Sequence, residues 1–296
     1  MNEIDRLVFL TIAYSSHFSF ALNKEEITQR LPSNANLQYL FNQKINNYKK
    51  ILISQKKINN SLKKLLKLSL IKTNGEYFYL QEQDLLNRKQ KMTFHAKKIK
   101  EAQIFANLAK KIPFVKAVVL TGSTAVGNAT KDDDLDFMII CKKNTLWLTR
   151  FLLIILIKFK NKRPQPYKAN AWCMNLLLDE NDLVLDQNRR SLYEAYEILQ
   201  MNFLFDRDKY SELFLNANQW LRKYLIYYEN YQFNKYKKQN SFSILNHLFF
   251  YLQKYYRLII FGKENFTINL TQAFYNDINF KNNLLIKLER KINFKK

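Results

Sequence analysis

The feature that most constrains the fold is a pair of apolar runs in the middle of the chain, joined by a short polar segment. Residues 115–120 are rich in valine, which predicts a buried strand. Thr121-Gly122-Ser123 follows this run, and a second apolar run occupies residues 137–140. A Gly-Ser pair directly after a buried strand favours a tight turn. We expect a short helix to begin at this turn. The pattern therefore predicts strand, turn, helix and strand within residues 115–140.

An Asp-Leu-Asp sequence leads into the second run. Ten residues separate Ser123 from Asp134, and Asp136 follows two positions later. Alternate residues of a strand point to the same face, so the two carboxylates are expected side by side. Like charges placed in this way repel each other unless a cation offsets them, which predicts a Mg²⁺ site. Gly122 would let a phosphate approach the backbone, and Ser123 would donate hydrogen bonds to the phosphate oxygens.

A plainer interpretation treats Gly-Ser as an ordinary turn and residues 131–134 as an acidic loop, in which Asp132 and Asp133 are expected to lie. The order and spacing of all the elements together favour the functional interpretation. Gly-Ser, ten residues and Asp-apolar-Asp-apolar resemble the signature of the DNA polymerase beta-type nucleotidyltransferase superfamily.

The resemblance implies a specific chemistry. Asp134 and Asp136 would be catalytic and would bind Mg²⁺ that bridges the phosphates of a nucleoside triphosphate, while Gly122 and Ser123 would bind phosphate. The implied reaction transfers a nucleoside monophosphate to a hydroxyl or phosphate acceptor. An RNA, a small molecule and a protein side chain are all open as acceptors.

The family normally supplies a third carboxylate from a later strand. The next candidate strand is residues 169–178, and the polar residue at its centre is Asn175. Asn175 at the third position could orient a water or a substrate but could not act as a carboxylate base, and it could equally be a structural hydrogen-bonding residue. Either a later acid replaces it, or two aspartates suffice, or activity is reduced. Arg150 and Lys168 are candidates for phosphate contacts, although cations at the ends of helices and strands are as often structural.

The amino-terminal part has the pattern of a winged helix-turn-helix domain, which we place at residues 1–82. Asn23 and Glu26 form a capping box that opens a short helix, and residues 58–68 have the apolar spacing of another. Asn74-Gly75 between two apolar runs predicts the hairpin of the wing. No acidic residue lies between Glu26 and Glu76. The candidate nucleic-acid contacts on the presumed recognition helix are Lys63, Lys64 and Lys67. The alternative is a scaffold whose lysines are merely solvated.

The net charge of +23 does not decide between these interpretations. Most of the basic residues are lysines, and asparagine, isoleucine and tyrosine are also abundant. An AT-rich genome would favour these residue types on any solvated surface, whatever the function of the protein. Basic charge therefore indicates an acidic partner only where it is locally concentrated.

The predicted fold class is α+β. Four parts are expected: the winged helix, a connecting helix at 83–112, a nucleotidyltransferase core with a small mixed sheet at 113–205, and a helical carboxy-terminal region at 206–296. The whole arrangement resembles a group of bacterial proteins that join an amino-terminal winged helix to this type of core. Interleaved aromatic and basic residues after residue 205 could stack on single strands, but at helical spacing they are more often core and solvated face.

The cellular setting is expected to be the cytoplasm. Cys141 and Cys173 are expected to be reduced, and the start of the chain does not have the pattern of a signal peptide. The apolar segment Leu146–Phe159 falls short of the roughly 20 residues that span a bilayer. It is expected to pack against the sheet, although shallow membrane attachment is an alternative.

Two functions follow from these patterns. The first is a Mg²⁺-dependent nucleotidyltransferase with a nucleoside triphosphate as substrate. The second is a regulatory protein whose core is catalytically degenerate and binds nucleotide, or nucleic acid through the winged helix.

Overall fold

The computed structural model describes residues 1–33, 53–162, 169–229, 231–239, 242–261 and 267–275. Its centre is a six-stranded mixed sheet in the order β7-β4-β5-β6-β9-β8. The strands are β4 (Val115–Thr121), β5 (Leu135–Cys141), β6 (Trp172–Asp179), β7 (Asn202–Asp206), β8 (Thr267–Ile268) and β9 (Gln272–Phe274). β5 and β6 are parallel, and every other neighbouring pair is antiparallel. The mixed sheet expected for the core is confirmed, and it also includes strands from the carboxy-terminal region.

Each central strand presents two faces. Odd-numbered residues of β5 such as Phe137 and Ile139 are buried on one face, and Met138 and Ile140 are buried on the other. We call the face of Met138 the near face and that of Phe137 the far face. Because side chains alternate along a strand, Asp136 belongs to the near face.

Helices cover the far face. They are α4 (Glu82–Ala109), α6 (Leu146–Phe159) and α10 (Ile244–Phe261). Phe105 of α4 and Trp147 of α6 are fully buried against the far face, and Phe250 of α10 joins the same apolar cluster. The prediction that Leu146–Phe159 packs on the sheet is confirmed. Among the described residues, none of the helices combines the length and apolar character that a membrane crossing requires.

The amino-terminal unit comprises residues 1–33 and 53–80. Its elements are α1 (Glu3–His17), β1 (Leu22–Asn23), α2 (Lys24–Gln29), α3 (Gln55–Lys67), β2 (Lys72–Thr73) and β3 (Tyr77–Tyr79). The strands pair in the order β1-β3-β2. The predicted capping box is present, because Glu26 N–H donates to Asn23 and Asn23 N–H donates to Glu26. The helix after Asn23, the helix around residues 58–68 and the hairpin at Asn74-Gly75 were predicted, whereas strand β1 was not. The assignment of the unit to a winged helix stays a prediction.

The amino-terminal unit shares an apolar cluster with the near face of the large sheet. Leu7 and Ile12 of α1 share one apolar cluster with Val119 and Met138. Helix α7 (Leu192–Gln200) completes this layer, and its Tyr196 is almost fully buried beside Tyr14 with ring centroids 4.4 Å apart. One core therefore joins the amino-terminal unit to the sheet.

The carboxy-terminal region is helical only in part, which corrects the prediction for 206–296. Its further helices in the described residues are α8 (Tyr210–Ala217), α9 (Ile226–Glu229) and the three-ten turn Gln219–Lys223. β9 and β8 extend the sheet beyond β6, and β7 crosses the expected boundary by running to Asp206. The buried Gln272 side chain donates hydrogen bonds to the carbonyls of Asp182 and Val184. Pairing with the open edge of β6 thus decides the conformation of this segment, which local periodicity did not predict.

Candidate nucleotidyltransferase site

The candidate site lies where β4 ends and β5 begins. Thr121 pairs with Asp136 across these antiparallel strands, and Asp136 pairs with Cys173 of β6. The Thr121 hydroxyl donates to the backbone carbonyl of Asp136 at 3.3 Å. The Gly-Ser turn and the carboxylate pair, which are separate in the sequence, therefore meet at one end of the near face.

Gly122 is fitted to this junction in two ways. Its φ of +65° lies in the left-handed region that L side chains rarely adopt. A Cβ atom at this position would lie 2.6 Å from Oδ2 of Asp136. Glycine is therefore required both by the backbone and by the close approach of the carboxylate. Helix α5 (Gly122–Ala125) begins here as a single turn.

Asp133 holds the loop before β5. It accepts hydrogen bonds from the backbone N–H and the hydroxyl of Thr130, at 2.9 and 2.6 Å. Ser123 Oγ also donates to it at 3.4 Å. Burial would raise the pKa of Asp133, but the Thr130 hydrogen bonds, the charge of Lys98 and the Ser123 hydrogen bond together outweigh this effect, and the pKa is lowered. Asp133 is thus a structural acceptor, and Ser123 is turned partly towards it.

The carboxylate pair has few partners. Cys173 Sγ lies 3.4 Å from Oδ2 of Asp134, and Asn175 Nδ2 donates to Oδ1 of Asp136 at 2.5 Å. Neither aspartate forms an ion pair with a described residue. Burial, followed by the negative charge of Asp134, raises the pKa of Asp136 to about 6. A bound cation would stabilise the ionised form of Asp136 against both burial and the charge of Asp134.

Asn175 lies beside Asp136, where the sequence suggested a third carboxylate position. Its amide donates to the carboxylate and adds no negative charge. The hydrogen bond partly offsets the rise in the pKa of Asp136. Asn175 therefore orients one of the two carboxylates.

Glu197 is the acidic residue that the sequence analysis missed. It lies on α7, at the cavity that Asp136 and Gly122 also line. Burial, together with the charge of Asp136, raises the pKa of Glu197 to about 7, and a hydrogen bond from the Gly122 backbone opposes this rise. Tyr193, Glu197 and Gln200 stand at helical spacing and all line the cavity. That spacing was visible in the sequence, but nothing local connected it to residues 122–136.

The cavity beside Asp136 has a volume of about 320 Å³. It opens between the end of the near face and the amino-terminal unit. Its lining residues from the sheet side and α7 are Gly122, Ser123, Val126, Asn128, Asp136, Tyr193, Glu197 and Gln200. The amino-terminal unit supplies the opposite wall.

The donor set suits Mg²⁺ without a preformed cage. Among the described residues, no three His, Cys, Asp or Glu side chains are placed to hold one metal ion together. Mg²⁺ commonly takes one or two protein carboxylates and fills its remaining positions with phosphate oxygens and water. Asp134 and Asp136, which form no ion pair within the described ranges, fit that mode of binding.

Other predicted contacts lie elsewhere. The prediction that Arg150 contacts phosphate is wrong. Arg150 is buried on α6, which packs on the far face, and it donates to Gln253 Oε1 at 2.5 Å. Its guanidinium also lies 4.8 Å from the centre of the Tyr275 ring. It is therefore a core residue on the face opposite Asp136. Lys168 lies outside the described residues.

The lysines of α3 are exposed, as expected for the outer side of this helix. Lys64 forms an ion pair with Asp5 at 2.7 Å, so part of its charge is used within the chain. No ion pair involves Lys63 or Lys67 in the part of the chain that the structure describes. Their contact with nucleic acid stays a prediction.

Comparison with known proteins supports the assignment of the central segment. Residues 101–172 match the family model of the nucleotidyltransferase domain. This range contains Gly122, Ser123, Asp134 and Asp136, and it ends before Asn175. Among curated proteins, none matches this chain. The chain thus contains a nucleotidyltransferase domain at these residues.

A similar solved structure is described as the crystal structure of a toxin-antitoxin with AMP-PNP. The identity is 19%, and the similarity covers 38% of this chain and 79% of that chain with a TM-score of 0.25. At this score the likeness supports no inference about fold or ligand.

Proposed function

We propose that the protein is a Mg²⁺-dependent nucleotidyltransferase that transfers a nucleoside monophosphate from a nucleoside triphosphate to an acceptor hydroxyl. The observation that carries the proposal is the meeting of Gly122 with Asp136, at the cavity beside a carboxylate pair that forms no ion pair within the described residues. The matched family model is consistent with it.

Asp134 and Asp136 would hold Mg²⁺. When bound, the ion would offset the charge of the carboxylates and of the triphosphate, and would stabilise the pyrophosphate that leaves. Gly122 lets the Asp136 carboxylate lie close to the Gly-Ser turn, because it has no side chain. Asn175 would keep Asp136 in one orientation through its 2.5 Å hydrogen bond.

Glu197 would accept the proton of the acceptor. The acceptor oxygen forms a bond to the α-phosphorus, the bond from that phosphorus to the bridging oxygen breaks, and pyrophosphate leaves. A carboxylate with its pKa raised to about 7 can take up the released proton near neutral pH. In this proposal an acid on α7 supplies the base that Asn175 cannot supply.

A second candidate is a nucleotide-binding protein without transferase activity. The amide of Asn175 at the expected third position favours it.

We also propose that the amino-terminal unit is a winged helix, for which Lys63 and Lys67 would be nucleic-acid contacts. In that case binding to DNA or RNA would fall with rising salt and with neutralisation of these lysines.

The experiment that tests the first proposal separates binding from transfer. Calorimetry with each of the four ribonucleoside triphosphates and Mg²⁺ would be run on the wild type, Asp134→Ala/Asp136→Ala and Glu197→Gln. We expect metal-dependent binding to be lost in the double variant and retained in Glu197→Gln. Transfer from labelled triphosphate should fall in Glu197→Gln by about 10²-fold or more.

Asp132→Ala is the matched control, because Asp132 is an exposed acid in the same loop. Full transferase activity in the double variant would sink the proposal. Binding without transfer in the wild type, across RNA, small-molecule and protein acceptors, would favour the second candidate.

A further inference from the structure

The cavity beside Asp136 has one wall that lies outside the matched nucleotidyltransferase domain. The amino-terminal residues that line it are Tyr14, Ser15, Phe18, Phe20 and Arg30. Two hydrogen bonds hold this wall against the core: Asn128 Nδ2 donates to the Phe18 carbonyl at 3.1 Å, and the Tyr196 hydroxyl donates to the Arg30 carbonyl at 2.8 Å. The wall is therefore fixed in place relative to the carboxylates.

Arg30 is the basic residue among those that line the cavity, which otherwise presents the acids Asp136 and Glu197. Within the described residues, its guanidinium forms no ion pair. Its neighbour Arg88 differs, because it makes a two-pronged contact with Glu26 at 2.7 and 3.0 Å. Arg88 thus occupies the carboxylate of Glu26, the acid near Arg30. Burial lowers the pKa of Arg30, so an anion at the cavity would stabilise its charge.

The chemistry of the cavity narrows its ligand. A planar guanidinium binds phosphate oxygens in pairs, which makes arginine suited to phosphate recognition. The carboxylates on the opposite wall exclude a simple anion unless a divalent cation accompanies it. A volume of about 320 Å³ is at the small end of the range for small-molecule sites. A metal-bound polyphosphate of a single nucleotide meets all three conditions.

We propose that Arg30 binds the phosphates of the nucleoside triphosphate, so that the amino-terminal unit completes the nucleotide site. The inference rests on the proposed function, and it gives the amino-terminal unit a role in nucleotide binding that does not depend on nucleic acid. Phe18 stands in the same wall as Arg30 and offers apolar surface to the rest of the nucleotide.

The test compares Arg30→Gln with Arg207→Gln. Arg207 lies at the other end of β4, where its backbone N–H donates to the Lys116 carbonyl. Calorimetry would use Mg²⁺ with ATP, Mg²⁺ with inorganic tripolyphosphate, and adenosine. Loss of a charge-assisted, two-pronged contact should weaken binding of ATP and tripolyphosphate by about 10- to 100-fold. Adenosine binding should be unchanged, and Arg207→Gln should bind all three probes like the wild type.

The outcomes separate the two proposals. If binding of ATP is lost in Asp134→Ala/Asp136→Ala but unchanged in Arg30→Gln, the role of Arg30 is wrong and the proposed function stands. If the wild type binds neither ATP nor tripolyphosphate with Mg²⁺, both proposals fail. If Arg30→Gln weakens the binding of an acceptor but not of ATP, the cavity takes the acceptor and this inference is overturned.

A footprint on the wild type guards against a folding defect in the variant. Phenylglyoxal modifies accessible arginines, and mass spectrometry of peptides reports each site. Mg²⁺ with tripolyphosphate should reduce modification of Arg30 severalfold and leave Arg207 unchanged. Equal modification of Arg30 with and without the probe would overturn the inference whatever the stability of Arg30→Gln.

Discussion

Two carboxylates with raised pKa values, the half-buried Asp136 and the buried Asp179, occupy opposite ends of the neighbouring strands β5 and β6. Burial raises the pKa of both, to about 6 for Asp136 and about 7 for Asp179. Asp179 is fully buried and accepts hydrogen bonds from the backbone N–H groups of Asn144 and Asn181, at 2.6 and 3.0 Å. Asp136 accepts one side-chain hydrogen bond and faces a cavity beside Asp134.

The difference separates a structural carboxylate, Asp179, from the one that we propose to be functional, Asp136. Backbone donors satisfy both oxygens of Asp179 and tie it to the turns that follow β5 and β6, so its role is complete within the fold. Asp136 has a negative neighbour instead of a second fixed donor, so the Asn175 hydrogen bond offsets only part of the rise in its pKa and a bound cation would stabilise its ionised form further. A raised pKa alone does not distinguish the two residues, whereas the identity of their partners does.

Two arginines differ in the same way on opposite faces of the sheet. Arg150 is buried on the far face with Gln253 as a hydrogen-bond acceptor. Arg30 lines the cavity on the near face and forms no ion pair within the described ranges. Of these two arginines, we therefore propose a role in ligand binding only for Arg30, which lies on the near face with Asp136.

The sharpest way to break the comparison is to remove each carboxylate in turn. Asp136→Asn should lower transfer by about 10³-fold or more, because it removes a Mg²⁺ ligand worth several kcal/mol in the transition state. Its melting temperature should stay equal or rise, since repulsion from Asp134 is removed. Asp179→Ala should instead lose about 2–4 kcal/mol of unfolding free energy, because two backbone N–H groups lose their acceptors. Activity and urea unfolding would be measured on both variants. A large loss of stability in Asp136→Asn would contradict the distinction.

The next largest effect concerns Gly122. In Gly122→Ala the new Cβ would lie 2.6 Å from Asp136 Oδ2 and must displace the carboxylate. Transfer should fall by about 10²-fold, as a misplacement of 1 Å can do. Gly75→Ala is the matched control, since Gly75 also has a positive φ, +97°, but nothing lies within 4 Å of a Cβ there. That control should lose about 1–2 kcal/mol of stability and keep its transferase activity. Equal activity in both variants would mean that the approach of Gly122 to Asp136 has no role in catalysis.

The smallest effect is a dependence of stability on pH. The pKa of Glu197 is about 7 in the folded state and near its ordinary value of 4.5 in the unfolded state. The folded protein therefore holds this proton more tightly, and the stabilisation that is present at low pH is lost as the pH rises through about 7. Between pH 6 and pH 8 the loss from this residue should be about 1 kcal/mol. The decrease in melting temperature over this range should be smaller in Glu197→Gln than in the wild type. Glu212→Gln, which changes an exposed acid on α8, should leave the decrease as it is in the wild type.

Much of the fold was predictable because it depends on local patterns. The runs at 115–120 and 137–140 became β4 and β5, and the apolar segment after them became α6 on the sheet. The carboxy-terminal strands β8 and β9 were not predicted. They are two and three residues long, and they form because the edge of β6 offers unpaired backbone groups. The residues of β6 that offer these groups are about a hundred positions away in the sequence, so the local sequence of β8 and β9 does not predict the pairing.

The candidate site divides in the same manner. Gly122, Ser123, Asp134 and Asp136 stand within fifteen positions, so their order and spacing were enough to single them out. Glu197 and Arg30 were not found, and Arg150, a candidate phosphate contact, lies on the face opposite Asp136. Whether a charged residue on a helix meets a site depends on which face of the sheet that helix covers. Helices α6 and α7 both bury apolar residues against the sheet but cover opposite faces of it.

The sequence by itself determined which residues carry the proposed chemistry where β4 ends and β5 begins, because strand alternation and glycine's backbone freedom act over a few residues. Tertiary structure alone decided what surrounds that chemistry. It placed Glu197 and the amino-terminal wall with Arg30 at the cavity, and it buried Arg150 on the far face. These positions follow from the packing of apolar faces between segments far apart in the chain, which the order of residues within any one segment does not encode.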